Sequence, residues 1–230
     1  MYKLAIFDMD GTILNTIDDL ADSCNVICEK YGYPLHTVEE IKYMVGNGIP
    51  KLMRRALPAD IAEDQFQKVL AEYIEYYEDH CAIKTAPYKG IVECIRSLRS
   101  AGVKVAVNTN KVQAAAEELC DMYFPELFDV ISGSRPGIPP KPDPTGLYEI
   151  LKEVGMSKEE ACQSGVACFI GDSDVDLKTG VDSGLDFIGV DWGFRGRDFL
   201  LEHGASVVVD NTEELERILV SSPMKQWLLK

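Results

Sequence analysis

Two aspartates, Asp8 and Asp10, follow directly on the apolar run "LAIF" (4–7) and are followed at once by Gly11 and Thr12. Carboxylates usually belong in water, so a pair at the end of a buried run calls for a chemical explanation. On an extended chain, residues two apart point to the same side, and one substrate can meet both. Gly11 lets the chain turn immediately beyond them. After "VKVAV" (103–107) come Asn108, Thr109 and Asn110, and after "VACFI" (166–170) come Gly171 and Asp172, then Asp174 and Asp176. Lys141 lies in "PPKPDP", past the run "FDVI" (128–131). Acids, a hydroxyl and a lysine match phosphoryl transfer through an aspartyl-phosphate. A carboxylate can serve as nucleophile toward phosphorus. A second carboxyl must protonate the leaving alkoxide and then accept a proton from the attacking water. A hard cation such as Mg²⁺, held by Asp8, Asp172 and a backbone carbonyl, would neutralise the site, with Asp10 a further candidate ligand. Thr109 and Lys141 would hydrogen-bond and charge-stabilise the transferring group.

Such residues work together only if the fold gathers them, and open α/β sheets bind ligands beyond the carboxyl ends of their strands. Six short runs read as strands: the four already quoted, "FIGV" (187–190) and "SVVV" (206–209). They are nearly continuous in hydrophobicity, which predicts strands buried on both faces of a parallel sheet. From residue 90 onward they alternate with helical segments such as "IVECIRSLRSAG" and "NKVQAAAEELCDMYF". The expected fold class is therefore α/β, a Rossmann-like doubly wound parallel sheet. Residues 16–85 contain no strand run and read as an inserted all-helical domain. In it, Ile17, Leu20, Ala21, Cys24, Ile27, Cys28 and Tyr31 recur on one helical face. Thr37 with Glu40, and Asp60 with Glu63, are spaced as capping boxes. Residues 1–15 and 86–230 then form the core, with Pro87 and Gly90 marking the chain's return. For the tail "SSPMKQWLLK", packing on the core and fraying are both open.

A net charge of −15 repels nucleic-acid backbones and anionic membranes, so neither is expected as a partner. An anionic substrate would need a local cation to enter. Seven cysteines, none in a C-x-x-C pair, and only three histidines argue against a zinc or iron–sulfur site. Free thiols fit a reducing cytosol. With no signal-peptide pattern before Asp8 and no apolar stretch approaching a bilayer span, a cytoplasmic monomer or homodimer is expected.

"DMDGTILNT", "VNTNK", "KPDP" and "GDSDVD" resemble, in order, the four motifs of the haloacid dehalogenase superfamily. "VGNGIPKLMRRAL" and "GVDWGFRGRDFLLEHGASVVVDN" resemble its phosphoglycolate phosphatase branch, so all but the last ten or so residues are covered. The resemblance implies a core with a helical cap inserted after the first strand, and a Mg²⁺-dependent phosphatase acting on a small phosphorylated metabolite. Carried over by motif, Asp8 is the nucleophile and Asp10 the general acid/base. Thr109 and Lys141 bind phosphate, Asp172 binds Mg²⁺, and Asp176 is a supporting acid. Dehalogenase members lack the second acid of the first motif, so Asp10 favours phosphate chemistry. The leading substrate is 2-phosphoglycolate. A sugar-phosphate mutase or a pyrophosphatase on the same scaffold is the alternative, and a phospho-accepting signalling module is a rival from another class. "ISGSRPGIPPKPDP" is richer in proline than the branch pattern and sets Arg135 shortly before Lys141.

Several features have plainer readings. "DSDVDL" starts like a calcium loop but has Leu177 at its sixth position and Ser183 at its twelfth, so it fails as one. Asp174 reads as solvated. Cys24 and Cys28 read as core packing. "GNG" follows no strand and is no dinucleotide fingerprint, so Gly46 and Gly48 are expected in a cap loop facing the substrate. Of the adjacent Arg54 and Arg55, at most one points inward, and Arg54 is the candidate for a substrate carboxylate. Asn110 and Lys111 serve either as helix caps or as polar support, with Asn110 a candidate substrate contact. His36, His80 and His203 sit in no motif.

Overall fold

The computed structural model describes residues 1–221; the predicted tail segment beyond Ser221 lies outside them. Strand β1 (Leu4–Phe7) is buried along its whole length, as four consecutive apolar residues require. After the turn at Gly11, β2 (Leu14–Asn15) leads into four helices: α1 (Ile17–Tyr31), α2 (Val38–Met44), α3 (Ile49–Ala56) and α4 (Glu63–His80). The chain returns through β3 (Ala86–Pro87), which pairs antiparallel with β2. From there strands and helices alternate. The order is α5 (Ile91–Ser100), β4 (Lys104–Val112), α6 (Gln113–Tyr123), β5 (Val130–Ser134), α7 (Thr145–Glu153) and α8 (Lys158–Ala161). It continues with β6 (Ala167–Gly171), α9 (Asp174–Ser183), β7 (Asp186–Val190), α10 (Arg197–Glu202), β8 (Val208–Val209) and α11 (Thr212–Ser221).

Six strands form one parallel sheet in the order β5-β4-β1-β6-β7-β8. This is the expected doubly wound α/β class. The first strand lies near the middle, with Phe7 opposite Val107 of β4 and Ile170 of β6. That register brings Asp8 level with Asn108 of β4 and with Gly171 at the end of β6, so three motifs meet at one edge. Alternate residues feed two apolar layers. Ala5, Phe7, Val105, Val107, Cys168 and Ile170 face one, while Leu4, Ile6, Ala106 and Phe169 face the other. The first layer runs without a break into Leu20, Cys24 and Tyr73 of the helical segment. Cys24 and Cys28 are buried on the α1 stripe, as predicted.

Some expected boundaries move. The run "FDVI" enters the sheet late, with β5 starting at Val130, and "SVVV" contributes only two strand residues. The second run does not stop at Val107: β4 continues to Val112, and its register against β5 shifts between Asn108 and Val112. Asn108 to Lys111 therefore lie inside an irregular strand end, and the helical segment expected from Asn110 begins later. The helix after them starts at Gln113, so Asn110 and Lys111 are not its caps. The Thr37–Glu40 capping box forms, with both reciprocal hydrogen bonds present. The Asp60–Glu63 box does not, because α4 begins one residue after Ala62 and has no side-chain cap. No helix among the described residues is long and apolar enough to cross a membrane.

Candidate active site

The centre of the site is a lysine between two acids. Lys141 Nζ lies 2.6 Å from Asp8 Oδ1 and 2.6 Å from Asp176 Oδ1. All three side chains are buried. Asp8 reaches this point because its N–H continues the sheet, donating to the Ile170 carbonyl. Asp176 is held by the start of α9: Ser173 caps that helix, and the Ser173 N–H and hydroxyl both donate to Asp176 Oδ2. Lys141 is fixed through its backbone, since Asn110 Oδ1 accepts from its N–H at 2.8 Å and Asn110 Nδ2 donates to its carbonyl at 3.2 Å. Arg135 is tied elsewhere, to Glu149, Ser132 and Gln113, and braces the proline-rich loop.

Asp172 stands beside this trio. Its Oδ2 accepts from the Phe194 N–H at 2.7 Å, and the Thr12 hydroxyl lies 3.4 Å from Oδ1. Two glycines make room for it. A Cβ on Gly11 would lie 2.3 Å from Asp172 Oδ2, and one on Gly193 would lie 2.2 Å from Asp172 Cβ. Gly11 also has φ +89°, which a side chain would strain. Trp192 Nε1 donates to the Thr12 carbonyl, joining the loops after β1 and β7.

Oxygens of Asp8, Asp172 and Asp176 all lie within 4.8 Å of one another. Burial pushes the Asp8 carboxyl well above the usual carboxylate range; Asp176 and Asp172 add to the shift and Lys141 opposes it. Burial, then Asp176, push Asp172 up to about 7, against the Phe194 N–H, Lys141 and Arg195. Burial would lower Lys141, but Asp176 and Asp8 outweigh it and hold the ammonium above its ordinary range. With all three carboxylates ionised against one ammonium, two negative charges would stand in a buried site, the charge that one divalent cation would neutralise. An all-oxygen donor set suits a hard cation such as Mg²⁺. Both Asp176 oxygens accept close hydrogen bonds, from Lys141 and from Ser173. Asp172 Oδ1 has only the long 3.4 Å contact with Thr12 and Asp8 is paired through Oδ1 alone, so Asp8 and Asp172 retain the freer oxygens. Asp10, expected as a ligand, has its carboxylate outside this cluster, where Lys111 draws it away: Oδ1 lies 3.3 Å from Lys111 Nζ.

Asp8, Asp10, Thr109, Asn110, Lys141 and Asp172 nonetheless line one cavity, with Gly46 and Gly48 on its far wall. The Thr109 hydroxyl accepts from the Lys111 N–H at 3.1 Å. Asn110 Nδ2 also donates to the Gly46 carbonyl, linking β4 to the loop between α2 and α3. Arg54 is not part of the cavity. It is exposed, pairs with Glu63 at 2.8 Å and stacks on the Phe66 ring, a local acid and aromatic face that satisfy it. Arg55 is likewise occupied by the Met44 carbonyl and Asn47. Asp174 is half-exposed, as expected.

The cavity has further walls that were not predicted as site residues, Lys42, Tyr77, Phe194 and Arg195, and Lys111 lines it as polar support rather than as a helix cap. The Arg195 guanidinium donates to the carbonyls of Lys42, Tyr43 and Val45 around the end of α2. Its signal was available, because "WGFRG" follows the run "FIGV" as the acids follow theirs. Tyr77 had no such signal, since it belongs to an apolar helix stripe.

Residues 5–190 match the family described as haloacid dehalogenase-like hydrolase. The chain is 30% identical over 219 residues to phosphoglycolate phosphatase 1 of Pseudomonas aeruginosa, covering 93% of this chain and 78% of that protein. It is 27% identical to the N-acetylmuramic acid 6-phosphate phosphatase of the same organism, covering 94% of each. Its fold matches the crystal structure of a candidate phosphoglycolate phosphatase from Lactobacillus delbrueckii subsp. bulgaricus with a TM-score of 0.89. That match has 37% identity and covers 96% of this chain and 99% of that one.

Proposed function

The chain belongs to the haloacid dehalogenase-like hydrolases and is a phosphatase, and from that premise we propose a Mg²⁺-dependent phosphomonoesterase working through an aspartyl-phosphate on Asp8. The observation that carries this reading is Asp8 held against Lys141 at 2.6 Å in a cavity that Asp10 also lines. A carboxylate oxygen of Asp8 attacks phosphorus as the bond to the leaving oxygen breaks, and Asp10 gives that oxygen its proton. Water then attacks the acyl-phosphate, with Asp10 taking its proton, and phosphate leaves. Lys141 and the Thr109 hydroxyl would bind the transferring oxygens. Bound at Asp8 and Asp172, with Asp176 behind them, Mg²⁺ would offset the carboxylate charge and bind a phosphoryl oxygen.

The substrate we propose is 2-phosphoglycolate, supported by the phosphoglycolate phosphatase relative at 30% identity. Residues 16–85 act as the cap, leaving the core at 1–15 and returning to it at 86–230. The β2–β3 ribbon lies at that junction and suits a hinge. Gly46 and Gly48 would face the leaving group from the cap. A monomeric or dimeric cytoplasmic enzyme fits this role.

A panel of phosphorylated metabolites with Mg²⁺, including 2-phosphoglycolate, N-acetylmuramic acid 6-phosphate, glucose 1-phosphate and pyrophosphate, tests the reading. Free phosphate release that EDTA abolishes, and that Asp8→Asn or Asp10→Asn reduces at least about 100-fold, is the expected result. Glucose 6-phosphate accumulating from the 1-phosphate, with little free phosphate, would mark a mutase. A stable phosphoprotein with no turnover of any substrate would mark a signalling module.

A further inference from the structure

We propose that Lys111, anchored by Tyr77 of the helical segment, is a positioning residue that holds Asp10 in place to protonate the leaving group; this rests on the phosphatase reading above. Two lysines are buried among the described residues, Lys141 and Lys111. Each sits against one member of the aspartate pair: Lys141 against Asp8, and Lys111 against Asp10 at 3.3 Å. Burying an ammonium costs several kcal/mol unless partners compensate. Lys111 has two, Asp10 and the Tyr77 hydroxyl, which accepts from its Nζ at 2.9 Å. The Lys111 side chain is only 4% exposed, so this placement is enforced by packing rather than by solvent.

The geometry suits positioning better than neutralisation alone. Asp10 Oδ1 lies within ion-pair distance of Nζ, yet no hydrogen-bond donor is aimed at that oxygen. The ammonium therefore fixes the buried Oδ1 electrostatically and leaves Oδ2 as the oxygen that can carry the proton to the leaving group. Tyr77 in turn is stacked on Tyr73, with ring centroids 5.7 Å apart, so its hydroxyl is held by α4. Asp10 and Lys111 belong to the sheet edge and Tyr77 to the helical segment. The acid is thus set in place only when that segment sits down on the core.

Leaving groups that need a proton and leaving groups that do not separate this role from others. Transfer from 2-phosphoglycolate to Asp8 breaks a phosphorus–oxygen bond to an alkoxide, which must take a proton from Asp10. Transfer from acetyl phosphate releases acetate, which leaves as the anion. In rapid-quench single turnovers with Mg²⁺, Lys111→Met should slow glycolate release about 10- to 100-fold, part of the usual gain from general acid catalysis. Acetate release should stay within about 3-fold of wild type, and KM for 2-phosphoglycolate should hold. Tyr77→Phe, which keeps the ring stack, should show the same selectivity in weaker form, and Lys111→Arg should recover part of the loss. Equal slowing with both substrates would overturn the proposal in favour of general phosphate binding or damaged folding. A raised KM with unchanged kcat would overturn it in favour of direct substrate contact. If the wild type releases neither product, the phosphatase reading itself falls.

Discussion

Replacing Lys141 by methionine removes the ammonium between Asp8 and Asp176 while keeping a side chain of similar length. Each contact is 2.6 Å long, and the three side chains are 3%, 10% and 1% exposed for Lys141, Asp8 and Asp176. At an effective dielectric near 20, each pair contributes about 6 kcal/mol of attraction. The ammonium's desolvation, several kcal/mol, opposes it, and deleting one partner of a buried pair costs about 3–5 kcal/mol. The size of the deficit should depend on pH. Asp8 and Asp172 already bind protons more tightly in the folded state, Asp172 with its carboxyl pushed up to about 7. Between the ordinary carboxylate range and about 7 the folded chain therefore holds more protons than the unfolded chain. Stability of the metal-free protein falls as pH rises through that window. Losing Lys141 strengthens the effect, because the remaining acids can then relax only by taking up protons. Urea unfolding in EDTA should show Lys141→Met less stable by about 3–5 kcal/mol at pH 8 and by only about 1 kcal/mol at pH 5. Mg²⁺ should recover part of the deficit at pH 8. An equal deficit at both pH values would refute the reasoning and reduce Lys141 to a packing role.

Two further substitutions probe the walls of the site. Gly11→Ala puts a Cβ 2.3 Å from Asp172 Oδ2 at a φ of +89°, so it should displace that carboxylate and weaken Mg²⁺ binding at least about 10-fold, about 1.4 kcal/mol, by calorimetry. Unchanged Mg²⁺ affinity in a folded variant would contradict the close approach. Arg195→Ala removes the guanidinium from three carbonyls at the end of α2. With charge-assisted bonds worth about 1.5–3 kcal/mol each in isolation, a net loss near 2 kcal/mol should speed amide exchange in residues 42–48 about 30-fold. Amides of β1 should be unaffected. Arg195→Lys should restore little, because one ammonium lacks the planar fork that reaches several carbonyls.

Much of the sheet edge was legible because buried parallel strands leave continuous apolar runs, and the residue after each run has one place to go. Asp8 and Asp172 were reached in this way, whereas Lys141, ten residues past its run, and Asp176, inside the next helix, took their roles from the motifs that hold them. Three kinds of feature were not legible. The β2–β3 ribbon is two residues per strand, too short for any periodicity. The end of β4 is polar because it lines the cavity, so "NTNK" reads as the end of a run and the start of a helix although it is strand. The helical segment presents its side chains to the cavity only after it docks. Lys111 and Tyr77 then meet across 34 residues of sequence, and Arg54, which looked free to turn inward, is satisfied by Glu63 and Phe66 instead. Spacing alone also could not separate Asp10 from the carboxylate cluster, because the pull on it comes from Lys111.

Asp10→Asn offers the most direct test of Asp8 as nucleophile. With acetyl phosphate the first transfer needs no acid, whereas hydrolysis of the acyl-phosphate still needs the base. The covalent intermediate should therefore accumulate. Incubating Asp10→Asn with Mg²⁺ and acetyl phosphate, quenching in acid and mapping the peptides by mass spectrometry should locate one phosphate per chain, on Asp8. The Asp8→Asn chain should carry none. An unphosphorylated protein under conditions where the wild type turns the substrate over, or a phosphate on any other residue, would contradict the account.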